Sequence, residues 1–187
     1  GEGEGRAIGE AMGVNSTLTR LELGENLLGA GGGRAIAAAL GSNTTLTELF
    51  LAGTGLGDGE GKAIGSAMRT NSTLTKLNLS HNSVAGAGTV ALADALKSNG
   101  CLTELSLASN HVNDAALVGL AEKVDRQIVV PYGWNFKQMT AEARRLVAWA
   151  ARHGANGARP SVTIPYRGKT PKIWAMRMGH EECAELL

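Results

Sequence analysis

The chain has 187 residues, 43% of them hydrophobic, with a formal net charge of +1, two cysteines and four histidines. Cys101 and Cys183 are too few for a disulfide framework and share no ligand spacing with any histidine, which argues against a zinc site and for a reducing, intracellular compartment. The near-neutral total conceals a division: residues 1–124 carry net −4 and residues 125–187 net +5, an acidic part joined to a basic one.

Taken from the start, residues 1–14, GEGEGRAIGEAMGV, match residues 57–70, GDGEGKAIGSAMRT. They are expected to form the helix of a repeat that lacks its strand. A solenoid end also needs a polar cap, and this one shows none, so the natural protein is expected to extend further upstream. Four units of 28 residues follow, beginning at Asn15, Asn43, Asn71 and Asn99. A period of that length signals a solenoid, whose units cannot bury an apolar face alone and rely on their neighbours.

Each unit places leucines in three columns: Leu18, Leu46, Leu74 and Leu102; Leu21, Leu49, Leu77 and Leu105; Leu23, Leu51, Leu79 and Leu107. The last two columns stand two residues apart, which is strand spacing with both side chains on one face. Like strands repeated in one direction predict a parallel sheet with one crossover per unit. Ile36 and Leu40, Ile64 and Met68, Leu92 and Leu96, and Leu120 and Val124 are spaced by one helical turn, and the alanines around them favour helical crossovers. Asn43, Asn71 and Asn99, just past these helices, are expected to adopt the left-handed conformation that ends a helix. Asn26, Asn82 and Asn110 are expected to be buried amides that tie turns of adjacent units. Thr54 stands in that column in the second unit and predicts a local weakness.

The pattern LxxLxLxxN, followed by a helix with a 28-residue period, resembles the leucine-rich repeat of the ribonuclease-inhibitor type, and its phrasing resembles the repeats of NOD-like receptors. The resemblance spans residues 1–126 and implies an α/β solenoid with a parallel sheet on the concave side and helices on the convex side. It implies little about function, since one scaffold serves many partners.

Composition changes near residue 125. Only Phe50 among the seven aromatic residues precedes it. Residues 127–139 read as a capping or linker segment, with Ile128–Val130 a short strand closing the sheet and Pro131 at its edge. Trp134 and Phe136 are candidates to cover the last leucines. In residues 140–187 Thr140 reads as an N-cap, AEARRLVAWAARH as a helix and Gly154 as its stop. GKTPKIWAMRMGHEECAELL resembles a divergent ankyrin repeat: Gly168, Thr170, Pro171 and Ala175 meet its turn-and-helix phrase, and Gly179 with His180 its helix turn. Lys172 and Ile173 depart from the family's Leu-His.

The glycine-rich stretches from Gly29 and from Gly57 precede helices, as phosphate loops do. They fall at one phase of the repeat, however, and Gly57 to Lys62 is too short for a P-loop. Ala63 replaces the magnesium-binding hydroxyl, and Asp58 and Glu60 would repel a phosphate. No histidine has an acid–base partner nearby in sequence, so no catalytic residue, metal or cofactor is assigned.

The outward strand positions are the candidate site for a protein partner. Arg20, Glu48, Lys76 and Glu104 form one column of alternating charge. Glu22, Phe50, Asn78 and Ser106 form the next, with Glu25, His81 and Ser109 further along. Phe50, a large apolar side chain among polar ones, has the make-up of a binding hot spot. The basic segment, with Arg144, Arg145, Arg152, Arg159, Arg167, Lys169, Lys172 and Arg177, suits an acidic protein surface better than nucleic acid. The reading is a non-enzymatic interaction scaffold. Alternatives are an accessory subunit docked permanently in a large assembly, the sensing region of a NOD-like receptor, and a GTPase-activating regulator.

Overall fold

The computed structural model describes residues 1–112, 116, 120 and 127–129. Helices and strands alternate as far as β4, and β5 follows: α1 (Glu2–Val14), β1 (Arg20–Glu22), α2 (Gly29–Ser42), β2 (Glu48–Phe50), α3 (Asp58–Met68), β3 (Lys76–Asn78), α4 (Gly86–Ser98), β4 (Glu104–Ser106) and β5 (Gln127–Val129). The sheet is wholly parallel with strands in sequence order. Its register sets Leu21, Leu49, Leu77 and Leu105 side by side. That is the architecture of a leucine-rich-repeat solenoid. The closing strand begins at Gln127, one residue before the expected position.

The leucine columns form one continuous core. Leu49, Leu77 and Leu105 are at most 2% exposed, and Leu46, Leu74, Leu51, Leu79 and Leu107 are buried with them. The third column lies one residue beyond the short strands, yet Leu23, Leu51 and Leu79 still donate their N–H groups to the next coil at 2.8–2.9 Å. Ile36, Leu40, Ile64, Met68, Leu92 and Leu96 cover the core from the helical side. Ala116 and Leu120 are helical and buried as well. Val124 and the ankyrin-like segment, with Thr140, Gly154, Trp134 and Phe136, lie outside the described residues, as does the basic segment.

The asparagines past the helices correct one expectation. Asn43 and Asn99 are extended, with φ of −71° and −70°, and Asn71 is not among the residues with positive φ. What the position requires is the amide side chain. Asn43 Nδ2 donates to the carbonyls of Met12 (2.9 Å) and Asn15 (3.0 Å) in the preceding coil. Asn71 repeats this with Leu40 and Asn43, and Asn99 with Met68 and Asn71. Each Oδ1 accepts two N–H groups of its own coil, as Asn71 does from Thr73 (3.1 Å) and Leu74 (2.8 Å). All three are buried, and every bonding site of the amide is used, which makes burial tolerable.

A left-handed residue sits instead at the turn leaving each of β1 to β4: Glu25, Gly53, His81 and Ser109, with φ of 53–65°. Next to them runs the second asparagine column. Asn82 Nδ2 donates to Leu51 O (2.8 Å) of the previous coil, and its Oδ1 accepts from Thr54 N and Leu56 N. Asn110 bonds Leu79 O and Val84 N in the same way. Asn26, in the first coil, is exposed, and among the described residues its side chain bonds only within its own turn. Thr54 is buried, and its hydroxyl donates to Leu51 O of its own coil (2.7 Å), with Asn82 Oδ1 of the next coil at 3.4 Å; among the described residues its side chain makes no bond back to the first coil.

Close helix packing explains glycines that would otherwise cost about 1 kcal/mol each in a helix interior. A Cβ on Gly65 of α3 would stand 2.7 Å from the Ala91 carbonyl carbon of α4, and backbone cannot give way there.

Two outcomes follow. Asn71→Ala leaves buried carbonyls and N–H groups unbonded and lowers stability by about 2–3 kcal/mol, read as a lower urea midpoint at unchanged slope. Gly65→Ala, despite better helix propensity, lowers stability by about 1–3 kcal/mol through overpacking; a raised thermal midpoint would contradict the packing account.

Candidate functional site

The sheet face opposite the helices is built by register. Alternate strand residues point to opposite faces, so burial of Leu49, Leu77 and Leu105 turns the flanking residues outward. The register then aligns Arg20 with Glu48, Lys76 and Glu104, and Glu22 with Phe50, Asn78 and Ser106. Gln127 and Val129 continue the two register positions on β5.

The charged column is paired along its length. Arg20 Nη1 meets Glu48 Oε2 at 2.6 Å, Lys76 Nζ meets Glu48 Oε1 at 3.4 Å, and Lys76 Nζ meets Glu104 Oε1 at 3.6 Å. Arg20 also reaches Glu22 at 3.1 Å. Glu48 is the most enclosed of these, with 22% of its side chain exposed. Its hydrogen bond from Arg20, aided by Lys76, holds its pKa below the ordinary glutamate value of 4.5 against the opposing effect of desolvation. Arg20 is shifted upward by its bonds to Glu22 and Glu48.

Phe50 is half-buried, and the Arg20 guanidinium stacks over its ring at 4.2 Å from the centroid, a cation–π contact. Beyond it lies a shallow, open depression of about 130 Å³ lined by Phe50, Lys76, Leu77, Asn78, Glu104, Leu105 and Ser106. Asn78 Oδ1 is held by Ser80 N (2.9 Å) and Ser80 Oγ (2.6 Å), which fixes the amide. Glu25, His81 and Ser109 are not on the strands but at the left-handed turns beside them. The structure thus brings together the two strand columns and sets these three at their border.

Sequence reasoning missed a further column bordering this face. Thr47, Thr75 and Thr103 each donate Oγ1 to the threonine carbonyl of the previous coil, at 2.9, 3.0 and 3.1 Å. The same carbonyls accept backbone N–H groups, so each is bonded three times. Thr at one phase of every unit was the available signal.

On the helical side, the glycine-rich turn holds carboxylates where a phosphate would sit. Glu60 Oε2 accepts from Gly57 N (3.1 Å), and Asp58 Oδ1 accepts from Ala85 N (2.7 Å) and Gly88 N (3.1 Å). Glu60 is buried and also bonds Arg34 Nε at 3.2 Å. Among the described residues no cluster of His, Cys, Asp and Glu is arranged to hold a metal ion, and no helix is long and apolar enough to cross a membrane.

The family model for leucine-rich repeats matches residues 14–37, 42–65, 70–93 and 98–121. The chain belongs to the leucine-rich repeat family. Among solved structures it is similar to leiomodin-1 actin-binding site 2, at 20% identity and a TM-score of 0.61 over 81% of this chain and 90% of that one. It is also similar to the tropomodulin C-terminal domain of Caenorhabditis elegans, at 13% identity and a TM-score of 0.64 over 81% and 93% of the two chains. At such identities the likeness is one of fold. No curated protein matches the chain.

The ion-pair column makes one pH-dependent expectation. The folded pKa of Glu48 lies below its unfolded value, so its contribution to stability is present above the ordinary glutamate range. It is lost as pH falls through the folded pKa. A carbon-detected NMR titration should give Glu48 a low midpoint that rises in Arg20→Gln; an unchanged midpoint would show that Arg20 is not the cause.

Proposed function

We propose that the protein is a non-enzymatic scaffold that binds a protein partner through the outer face of its sheet. The observation that carries this reading is the Phe50–Arg20 stack beside an open depression, set in ion pairs that can re-pair with another surface. A shallow, open site with few deep walls suits a protein surface better than a small molecule, which needs an enclosing pocket. Strands and turns tied by buried side chains keep the face in one geometry, so binding costs little ordering on this side. Arg20, Glu22, Glu48, Phe50, Lys76, Asn78, Glu104 and Ser106 form the contact face, with Glu25, His81 and Ser109 at its border.

A structural neighbour whose name refers to actin binding supports protein recognition by this fold and makes actin the first probe. The basic segment with Arg144, Arg145, Arg152, Arg159, Arg167, Lys169, Lys172 and Arg177 offers a second surface, for acidic protein. The 28-residue period supports repeats of the ribonuclease-inhibitor type.

The test compares proteins captured from lysate, and purified actin, on the wild-type chain and on Phe50→Ala and Glu48→Lys. Both variants should keep the wild-type circular dichroism and urea midpoint within about 1 kcal/mol while losing about tenfold or more in affinity for the main partner. Undiminished capture by both would move the interface off this face.

A further inference from the structure

We infer that this solenoid is formed only where asparagine-linked glycosylation does not operate, because the chain carries acceptor sequences for that modification at amides on which its fold depends. An asparagine followed two residues later by serine or threonine is such an acceptor. Asn43-Thr44-Thr45, Asn71-Ser72-Thr73 and Asn78-Leu79-Ser80 have this form, as does Asn15-Ser16-Thr17. Asn43 and Asn71 hold the junctions between coils, whereas Asn78 lies on the outer sheet face.

The transfer joins the asparagine Nδ2 to the anomeric carbon of a sugar carried on a lipid diphosphate. The amide gives up one proton, and the lipid diphosphate leaves with the electron pair of the broken C–O bond. Asn43 Nδ2 uses its hydrogens on the carbonyls of Met12 and Asn15, at 2.9 and 3.0 Å. Asn71 Nδ2 uses its own on Leu40 and Asn43, at 2.8 and 3.3 Å. Both residues are at most 6% exposed. A glycosylated amide keeps one hydrogen and carries a sugar into space that the preceding coil fills. At least one carbonyl of each junction is then buried without its partner, and the sugar has no way out to water. The transferase acts on a chain whose coils have not yet stacked, so burial in the finished fold gives no protection.

The junction does not itself demand an acceptor sequence. In the fourth coil Cys101 stands where Thr45 and Thr73 stand, and its N–H bonds Asn99 Oδ1 at 3.0 Å, as theirs bond Asn43 and Asn71. Asn99 Nδ2 still reaches Met68 and Asn71. The threonine hydroxyls add only long bonds to the earlier coil, at 3.2 and 3.4 Å. The asparagine is therefore required and the hydroxyl two residues on is not, yet the second and third coils keep both. That fits folding in a place where the transferase never meets the chain. Asn78 adds a consequence that rests on the contact face proposed above. Its Oδ1 is held by Ser80, while its Nδ2 has no partner among the described residues. Asn78 lines the depression beside Phe50, so a glycan there would leave the coils intact and cover that face.

In the test the full 187-residue chain, behind an added cleavable signal sequence, is translated with endoplasmic-reticulum microsomes and released in mild detergent. Mass spectrometry locates the glycans. Wild type should carry them at Asn43 and Asn71, and its protease-resistant fraction should fall about tenfold or more below that of the same chain made without microsomes. Thr45→Ala with Thr73→Ala removes both acceptor sequences, keeps both amides, and should restore resistance inside microsomes. An excess of the acceptor tripeptide Asn-Tyr-Thr, which competes for the transferase, should restore it without any substitution. Resistant wild-type chain bearing both glycans would overturn the inference, and so would resistant chain with both amides unmodified. Persistent sensitivity under the tripeptide would overturn it as well, by making the lumen rather than the glycan the cause. None of these results bears on partner binding at Phe50.

Discussion

The solenoid depends on a buried amide that bonds in two directions. Ahead of β2, β3 and β4 an asparagine side chain (Asn43, Asn71, Asn99) donates to carbonyls of the coil before it and accepts from N–H groups of its own coil. A helix that ends inside a protein leaves carbonyls without partners, and the next coil's asparagine supplies them. Leucine burial provides the non-directional driving force, but it does not fix the offset between coils. The amides do, because shifting a coil by one residue would leave several buried polar groups unbonded. The threonine column on one flank and Asn82 and Asn110 on the other repeat the same device across the strand ends.

That rigidity reaches the outer face. With the register fixed, Arg20, Glu48, Lys76 and Glu104 line up as a chain of ion pairs, and Arg20 is close enough to lie over Phe50. Exposed pairs of this kind are screened by salt and add little to folding. They set Arg20 over the half-buried Phe50 ring. The face is therefore stiff in backbone and adaptable in side chain, which suits recognition of another protein.

Much of this was legible in the sequence because leucine has a single role and recurs in phase. The leucine columns, parallel strands, alternating charges and outward Phe50 all follow from spacing alone. The asparagines were harder, since the residue both tolerates a left-handed backbone and carries a two-way side chain. Spacing past a helix favoured the first role; the structure has the second. The discriminating signal was present: Asn15, Asn43, Asn71 and Asn99 are never exchanged for glycine, which would serve a left-handed position equally well. The true left-handed column holds Glu25, Gly53, His81 and Ser109, and only Gly53 hints at it. The Arg20–Phe50 stack is a diagonal contact between neighbouring strands, visible only once the register is known. The threonine column was plain in every unit but was given no role, because a hydroxyl adding to an already bonded carbonyl leaves no hydrophobic or charge pattern.

The most direct test is native-state hydrogen exchange at the leucine amides that bond the asparagine side chains. Leu46, Leu74 and Leu102 donate to Asn43, Asn71 and Asn99 at 2.8 Å, and Leu18 donates to Asn15 at 2.7 Å. The local bonds are alike, but among the described residues no strand pairs with β1 on the side away from β2. If coupling between coils holds the structure, Leu74 exchanges only through global unfolding and Leu18 exchanges faster by orders of magnitude. Equal exchange at Leu18 and Leu74 would show that each coil stands alone, and would contradict the account.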